Sequence, residues 1–177
     1  GYGELETRLR SVEPGFTLIL LDGRPLAYTG NREAFRQWKN YRGGTQSRLW
    51  LMNMSDYSVK EVPKPAGGSN DTDPMWIGDT LYFSSDRNGE FNLFRYDAAG
   101  EAAQLTQLKD FPVTDPSGDG AGIIVFEHAG YLHRLDTRDN SVQQIRISAI
   151  SDLIEMRPRL ASDPKWIREA TASPDLK

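Results

Sequence analysis

Leu81-Tyr82-Phe83-Ser84-Ser85-Asp86-Arg87-Asn88-Gly89-Glu90-Phe91-Asn92-Leu93-Phe94-Arg95-Tyr96-Asp97 is the stretch on which the fold turns. Two short runs of aromatic and aliphatic side chains flank a polar segment containing Asn88-Gly89. Asn and Gly tolerate the positive φ of a tight turn, so the pattern predicts two antiparallel strands joined by a hairpin.

Working outward from it, the same runs recur. Leu26-Ala27-Tyr28-Thr29 and Ile124-Val125-Phe126-Glu127 correspond to Leu81-Tyr82-Phe83-Ser84. Leu49-Trp50-Leu51 and Tyr131-Leu132-His133 correspond to Leu93-Phe94-Arg95. A third set is Val59-Lys60-Glu61-Val62, Ala102-Ala103-Gln104-Leu105 and Val142-Gln143-Gln144-Ile145. Tyr28 to Phe83 is 55 residues and Phe83 to Phe126 is 43, while Thr72-Asp73-Pro74 and Thr114-Asp115-Pro116 lie 42 apart. The first interval is long because Gly30–Gln46 is inserted into the first unit.

A period of about 40 residues, holding several strands at 8–12-residue spacing, is the signature of a β-propeller blade. One four-stranded sheet cannot cover both its faces, so neighbouring blades supply the core. The pattern predicts an all-β chain, a partial β-propeller of about three four-stranded antiparallel blades at 12–62, 70–107 and 110–147. An immunoglobulin-type sandwich explains the strands but not the repeat. Residues 148–177, with Pro158, Pro164 and Pro174, read as a segment connecting to the next blade or domain. Three blades do not close a ring, so flanking blades of a longer chain are expected. Tyr28, Phe83 and Phe126 are expected in the inter-blade core. The best helical candidate, Glu33 to Tyr41, is short.

Composition narrows the function classes. The 177 residues are 38% hydrophobic and 26% charged, with a net charge of −4. That balance suits a globular domain and argues against a nucleic-acid partner. The longest apolar run, Phe16 to Leu21, is far short of the ~20 residues that span a bilayer, so no membrane role is expected. Cysteine is absent, which excludes disulfides and thiolate metal sites. The start, Gly-Tyr-Gly, carries no leader, and the chain reads as a segment of a larger protein whose compartment, cytoplasmic or secreted, stays open.

The opening stretch resembles the blade repeat of TolB and of tricorn-type peptidases, in which a strand ending Phe-Ser-Ser precedes Asp-Arg-x-Gly and a strand ending Tyr-Asp. Arg36-Gln37-Trp38-Lys39-Asn40-Tyr41-Arg42-Gly43-Gly44-Thr45 is similar to the Trp-Lys-x-Tyr-Arg-Gly-Gly segment of the tricorn N-terminal propeller. Ala172-Ser173-Pro174-Asp175-Leu176-Lys177 resembles the Ser-Pro-Asp-Gly-Lys turn opening a further blade, with Leu176 in the Gly position. The resemblance implies a tricorn-like serine peptidase whose propellers flank a separate catalytic core and gate substrate or product. None of that core's motifs falls within these residues. The expectation is a non-catalytic segment that guides peptide and docks the catalytic core; the alternative is a TolB-like protein-binding module with no peptidase in the parent. The expected partners are a peptide or protein and the remaining blades and catalytic domain of the parent chain.

The chemistry-bearing residues fit that reading. No Gly-x-Ser-x-Gly elbow occurs. Ser84, Ser85 and Asp86 end a strand, where hydroxyl and carboxylate are expected to cap a turn. His128 and His133 sit on adjacent strands, but with only Glu127 beside them they are expected to be polar strand surface; no metal and no cofactor is expected. Asn70-Asp71-Thr72-Asp73, Asp115 and Asp119 lack the spacing of a calcium loop, and solvated channel lining is the expectation. The insertion interleaves Arg36, Lys39 and Arg42 with Trp38 and Tyr41. These five are the candidate binding residues, suited to docking another module through guanidinium–aromatic contacts.

Overall fold

The computed structural model describes residues 17–19, 24–30, 40–97 and 99–148, with Pro158 and Pro174. Most of the helical candidate, Arg36, Trp38, Lys39 and all but Pro174 of the final turn lie outside the described residues. The chain divides into two units, Gly1–Arg146 and Ile147–Lys177, and every described strand belongs to the first.

Twelve strands form three four-stranded antiparallel sheets. The first holds β1 (Thr17–Ile19), β2 (Leu26–Thr29), β3 (Leu49–Met52) and β4 (Val59–Glu61). The second holds β5 (Asp71–Ile77), β6 (Thr80–Ser85), β7 (Asn92–Tyr96) and β8 (Ala102–Gln104). The third holds β9 (Thr114–Gly118), β10 (Ile123–His128), β11 (Tyr131–Asp136) and β12 (Ser141–Gln144). Each strand pairs with the next in sequence, and β5 lies against β1 on one side and β9 on the other. The first strand of each sheet therefore faces its neighbours around a common axis, as in a propeller. No helix among the described residues is long and apolar enough to cross a membrane.

Strand alternation sends successive side chains of β6 to different neighbours. Leu81 and Phe83, with Phe94 and Tyr96 opposite them on β7, pack against Ala27, Leu49 and Val62 of the first blade. Tyr82 and Leu93 point the other way, into a second core with Val113, Ile124, Phe126 and Leu135. Phe83 and Phe126 occupy the inter-blade cores the repeat assigns them. Tyr28 does not. Its sheet turns Ala27 toward the second blade, so Tyr28, one residue on, projects from the other face and is half-buried.

The repeat is also visible in an irregularity. The pairing of β5 with β6 shifts between Thr72 and Met75, and that of β9 with β10 shifts between Val125 and Glu127. At each shift stands an Asp-Pro pair whose Asp has positive φ, 52° at Asp73 and 46° at Asp115. Asp is among the few non-glycine residues that tolerate this region, and proline has no N–H to leave unpaired, so Thr-Asp-Pro encodes a β-bulge in both first strands.

The third blade closes its outer turn with Asp136. The Arg138 side chain beside it, helped by the Arg138 N–H, holds its carboxyl at about 2. A depressed carboxylate stabilises the fold above its ordinary range near 4 and loses that contribution as pH falls toward the folded value. A carboxyl-detected NMR titration is expected to place the Asp136 midpoint near 2, and to move it up toward the ordinary range in Arg138→Ala, which keeps the backbone N–H and the Arg134 charge.

Candidate functional site

At one end of the seam between the first two blades, polar side chains close over the aromatic core. Ser85, the last residue of β6, donates its hydroxyl to Asp71 Oδ1 at 2.6 Å, and Arg87 reaches Asp71 Oδ2 at 3.1 Å. The Arg87 guanidinium also lies 4.9 Å from the centre of the Phe83 ring and 5.2 Å from that of Phe94. Asp71 and Asp86 are both fully buried. Burial of a carboxylate is tolerable only with a cation or several N–H groups on it, and each has both kinds of partner or a hydroxyl besides. Asp86 accepts from the Asn70 backbone N–H at 2.7 Å, from Asn70 Nδ2 at 2.9 Å and from Arg42 Nη1 at 2.7 Å.

Arg42 thus ties the end of the 30–46 insertion, which belongs to the first blade, to the β6–β7 turn of the second. Its Nη2 donates to the Asp86 carbonyl at 3.3 Å, and the Tyr41 carbonyl accepts from Asn70 Nδ2 at 3.0 Å. Lys64 completes the rim, donating to the Ser47 and Ser69 carbonyls at 2.7 and 2.6 Å. Burial pushes the Lys64 ammonium below the usual lysine range, with Asp71 and Glu61 pulling the other way.

The sequence places the residue types correctly and several roles differently. Asn70, Asp71 and Thr72 are buried, so they are no solvated channel lining; Asp115 and Asp119 are exposed. Asp119 accepts three backbone N–H groups, from Ala121, Gly122 and Ile123, and organises the β9–β10 turn. Ser85 caps its turn by accepting the Arg87 N–H, whereas Asp86 spans to Asn70 and Arg42 instead of capping. Ser84, Ser85 and Asp86 lie in the second blade and both histidines in the third, and no hydrogen bond among the described residues joins either histidine to one of these serines or to Asp86. Of the candidate binding residues, Tyr41 and Arg42 are described and stand together at this rim.

The third blade shows what replaces the network when its residues change. Register makes Phe126 and His133 the counterparts of Phe83 and Phe94, His128 the counterpart of Ser85, and Val113 that of Asp71. The six-residue turn Asp86–Phe91 shrinks to Ala129-Gly130, with φ of 54° and 79° as in a type I′ turn, and leaves no counterpart of Arg87. His133 stacks on Phe126 at 5.5 Å, His128 meets His133 edge-on at 5.7 Å, and Phe111 meets His128 at 6.4 Å. An aromatic stack takes the place of the ionic one.

Bladed sheets arranged around an axis, sealed at the rim by a buried Ser-Asp-Arg network, define this chain as a partial β-propeller. The family model for the tricorn protease N-terminal beta propeller domain matches residues 3–141, and the chain belongs to that family. It is 28% identical over 137 residues to a tricorn protease homolog of Saccharolobus solfataricus, covering 77% of this chain and 12% of that protein. It is 29% identical over 140 residues to tricorn protease homolog 1 of Streptomyces coelicolor, covering 78% and 13%. The chain thus spans about an eighth of the length of these relatives. Among solved structures, that of the tricorn protease matches with a TM-score of 0.65 at 23% identity, over 76% of this chain and 13% of that one. A TolB protein of Agrobacterium tumefaciens matches with a TM-score of 0.54 at 15% identity, over 75% and 50%. Both likenesses concern the fold.

Proposed function

We propose that this chain serves, within a longer tricorn-type serine peptidase, as a non-catalytic propeller segment that guides peptide and docks the catalytic module. One observation carries the reading of the segment as one part of a larger assembly. Leu93 and its counterpart Leu132 occupy the same register on the forward faces of the second and third blades. Leu93, covered by the next blade, is 0% exposed, and Leu132 is 39% exposed. Ile123 and Val125 share that forward face and are half-buried, with Glu127 and Arg134 beside them, and a further blade of the parent suits the uncovered apolar positions. Arg36, Trp38, Lys39, Tyr41 and Arg42 are the contact set of the 30–46 insertion, with Arg42 also holding the insertion on Asp86.

Peptide hydrolysis by the parent protein tests this. The parent is expected to cleave peptides and the 177-residue chain alone to cleave none. Arg36→Ala/Trp38→Ala/Lys39→Ala in the parent is expected to lower kcat/KM for peptides at least tenfold with an unchanged Tm. Labelling of the isolated chain by a serine-directed probe would refute the non-catalytic assignment. A parent without peptidase activity that still captures a protein partner supports the TolB-like alternative instead.

A further inference from the structure

We propose that His128 and His133 form a binding site for a divalent late first-row transition ion, Zn²⁺ or Ni²⁺, at the rim of the third blade. The two imidazoles project from the same face, diagonally across the β10–β11 ladder, because Phe126 pairs with His133 and His128 with Tyr131. Their ring centres are 5.7 Å apart, with the planes at 76°. With metal–nitrogen bonds of about 2.0–2.1 Å, two imidazoles sharing one ion have ring centres roughly 5–6 Å apart, so the spacing of this edge-on ring pair also admits an ion between them.

Two further observations bear on the nitrogens. His133 Nδ1 lies 3.1 Å from the Tyr131 carbonyl oxygen. An N–H donated there puts the lone pair on Nε2 and fixes the ring, the outer-sphere bond that metal-ligating histidines commonly make. His128 Nε2 is buried and has no hydrogen-bond partner among the described residues. A buried polar atom without a partner calls for an explanation, and an ion on that lone pair supplies one. The proposed ligands are Nε2 of each ring, and a turn of the His128 ring that opens its buried Nε2 lets water complete the coordination. Imidazole donors suit Zn²⁺ and Ni²⁺ and disfavour Mg²⁺ and Ca²⁺.

The blade repeat supplies the test variants. His133→Phe and His128→Ser install the residues that the second blade carries at the same register, Phe94 and Ser85, so each has a precedent in the repeat. Calorimetric titration of the whole chain with Zn²⁺ is expected to show one saturable site with a dissociation constant on the order of 10–100 µM. Each single variant is expected to weaken binding at least tenfold, and the double variant to abolish it, with β circular dichroism retained. Absence of saturable binding at millimolar Zn²⁺, or undiminished binding by the double variant, overturns the proposal. Should a variant not fold, Ni²⁺ added to the wild-type chain decides by NMR. Paramagnetic broadening centred on the two imidazoles supports the site, and broadening centred elsewhere overturns it.

Discussion

Phe83→Ala is expected to lower the stability of this chain by about 3–5 kcal/mol, the usual cost of truncating a fully buried aromatic residue. The side chain is 0% exposed and sits between the first and second blades, with the Phe94 ring 5.9 Å away. Truncation removes more than transferred surface. The Arg87 guanidinium loses one of its two aromatic platforms, a contact of about 0.5–2 kcal/mol in its own right. The cavity also opens beneath the Asp71–Ser85–Arg87 network, where water is otherwise excluded. Tyr28→Ala at the corresponding position of the first blade is expected to cost clearly less, because Tyr28 is half-buried on the face away from that core. Chemical denaturation of the three proteins measures the difference. Equal losses for the two variants would show that the blade-to-blade assignment of faces is wrong.

Asp86→Ala is expected to have the next largest effect, about 3 kcal/mol. Removing one partner of a buried ion pair typically costs about 3–5 kcal/mol, because the other is stranded. Here the figure sits at the low end. The Arg42 side chain is 32% exposed and regains water, whereas the buried Asn70 N–H loses its acceptor outright. Asp86→Asn keeps an oxygen for that N–H and is expected to fall between wild type and alanine. A second signature separates this from simple loss of packing: the Arg42 guanidinium protons are expected to exchange more rapidly in both variants than in the wild type.

Much of the fold was legible because its signals are local. Strand positions followed from short aromatic and β-branched runs, and turns from residues that accept positive φ, as Asn140 does at 59° and Gly78 at 57°. The 42-residue echo of Thr-Asp-Pro marked the first strand of two blades, though not that its Asp sits on a bulge. The rim network was less legible. Ser85, Asp86 and Arg87 are contiguous, but Asp71 is 14 residues from Ser85 and Arg42 is 44 from Asp86. Nothing in the local pattern shows that a first-blade arginine meets a second-blade carboxylate; that pairing exists only once the blades stack. For the same reason Asp71 read as a solvated acid and proved to be buried. Tyr28 shows the complementary limit. Periodicity gave it the face that Phe83 occupies in the next blade, and only the arrangement of sheets shows which neighbour that face meets.

The bulges in β5 and β9 have a consequence for how this chain behaves in company. Both are edge strands, and a flat edge with a free row of N–H and C=O groups recruits strands from other molecules toward amyloid-like growth. Pro74 and Pro116 interrupt that row, and the left-handed turn of the backbone at Asp73 and Asp115 twists it out of line. The repeated tripeptide therefore keeps each of these inner edges from continuing a regular ladder past its bulge.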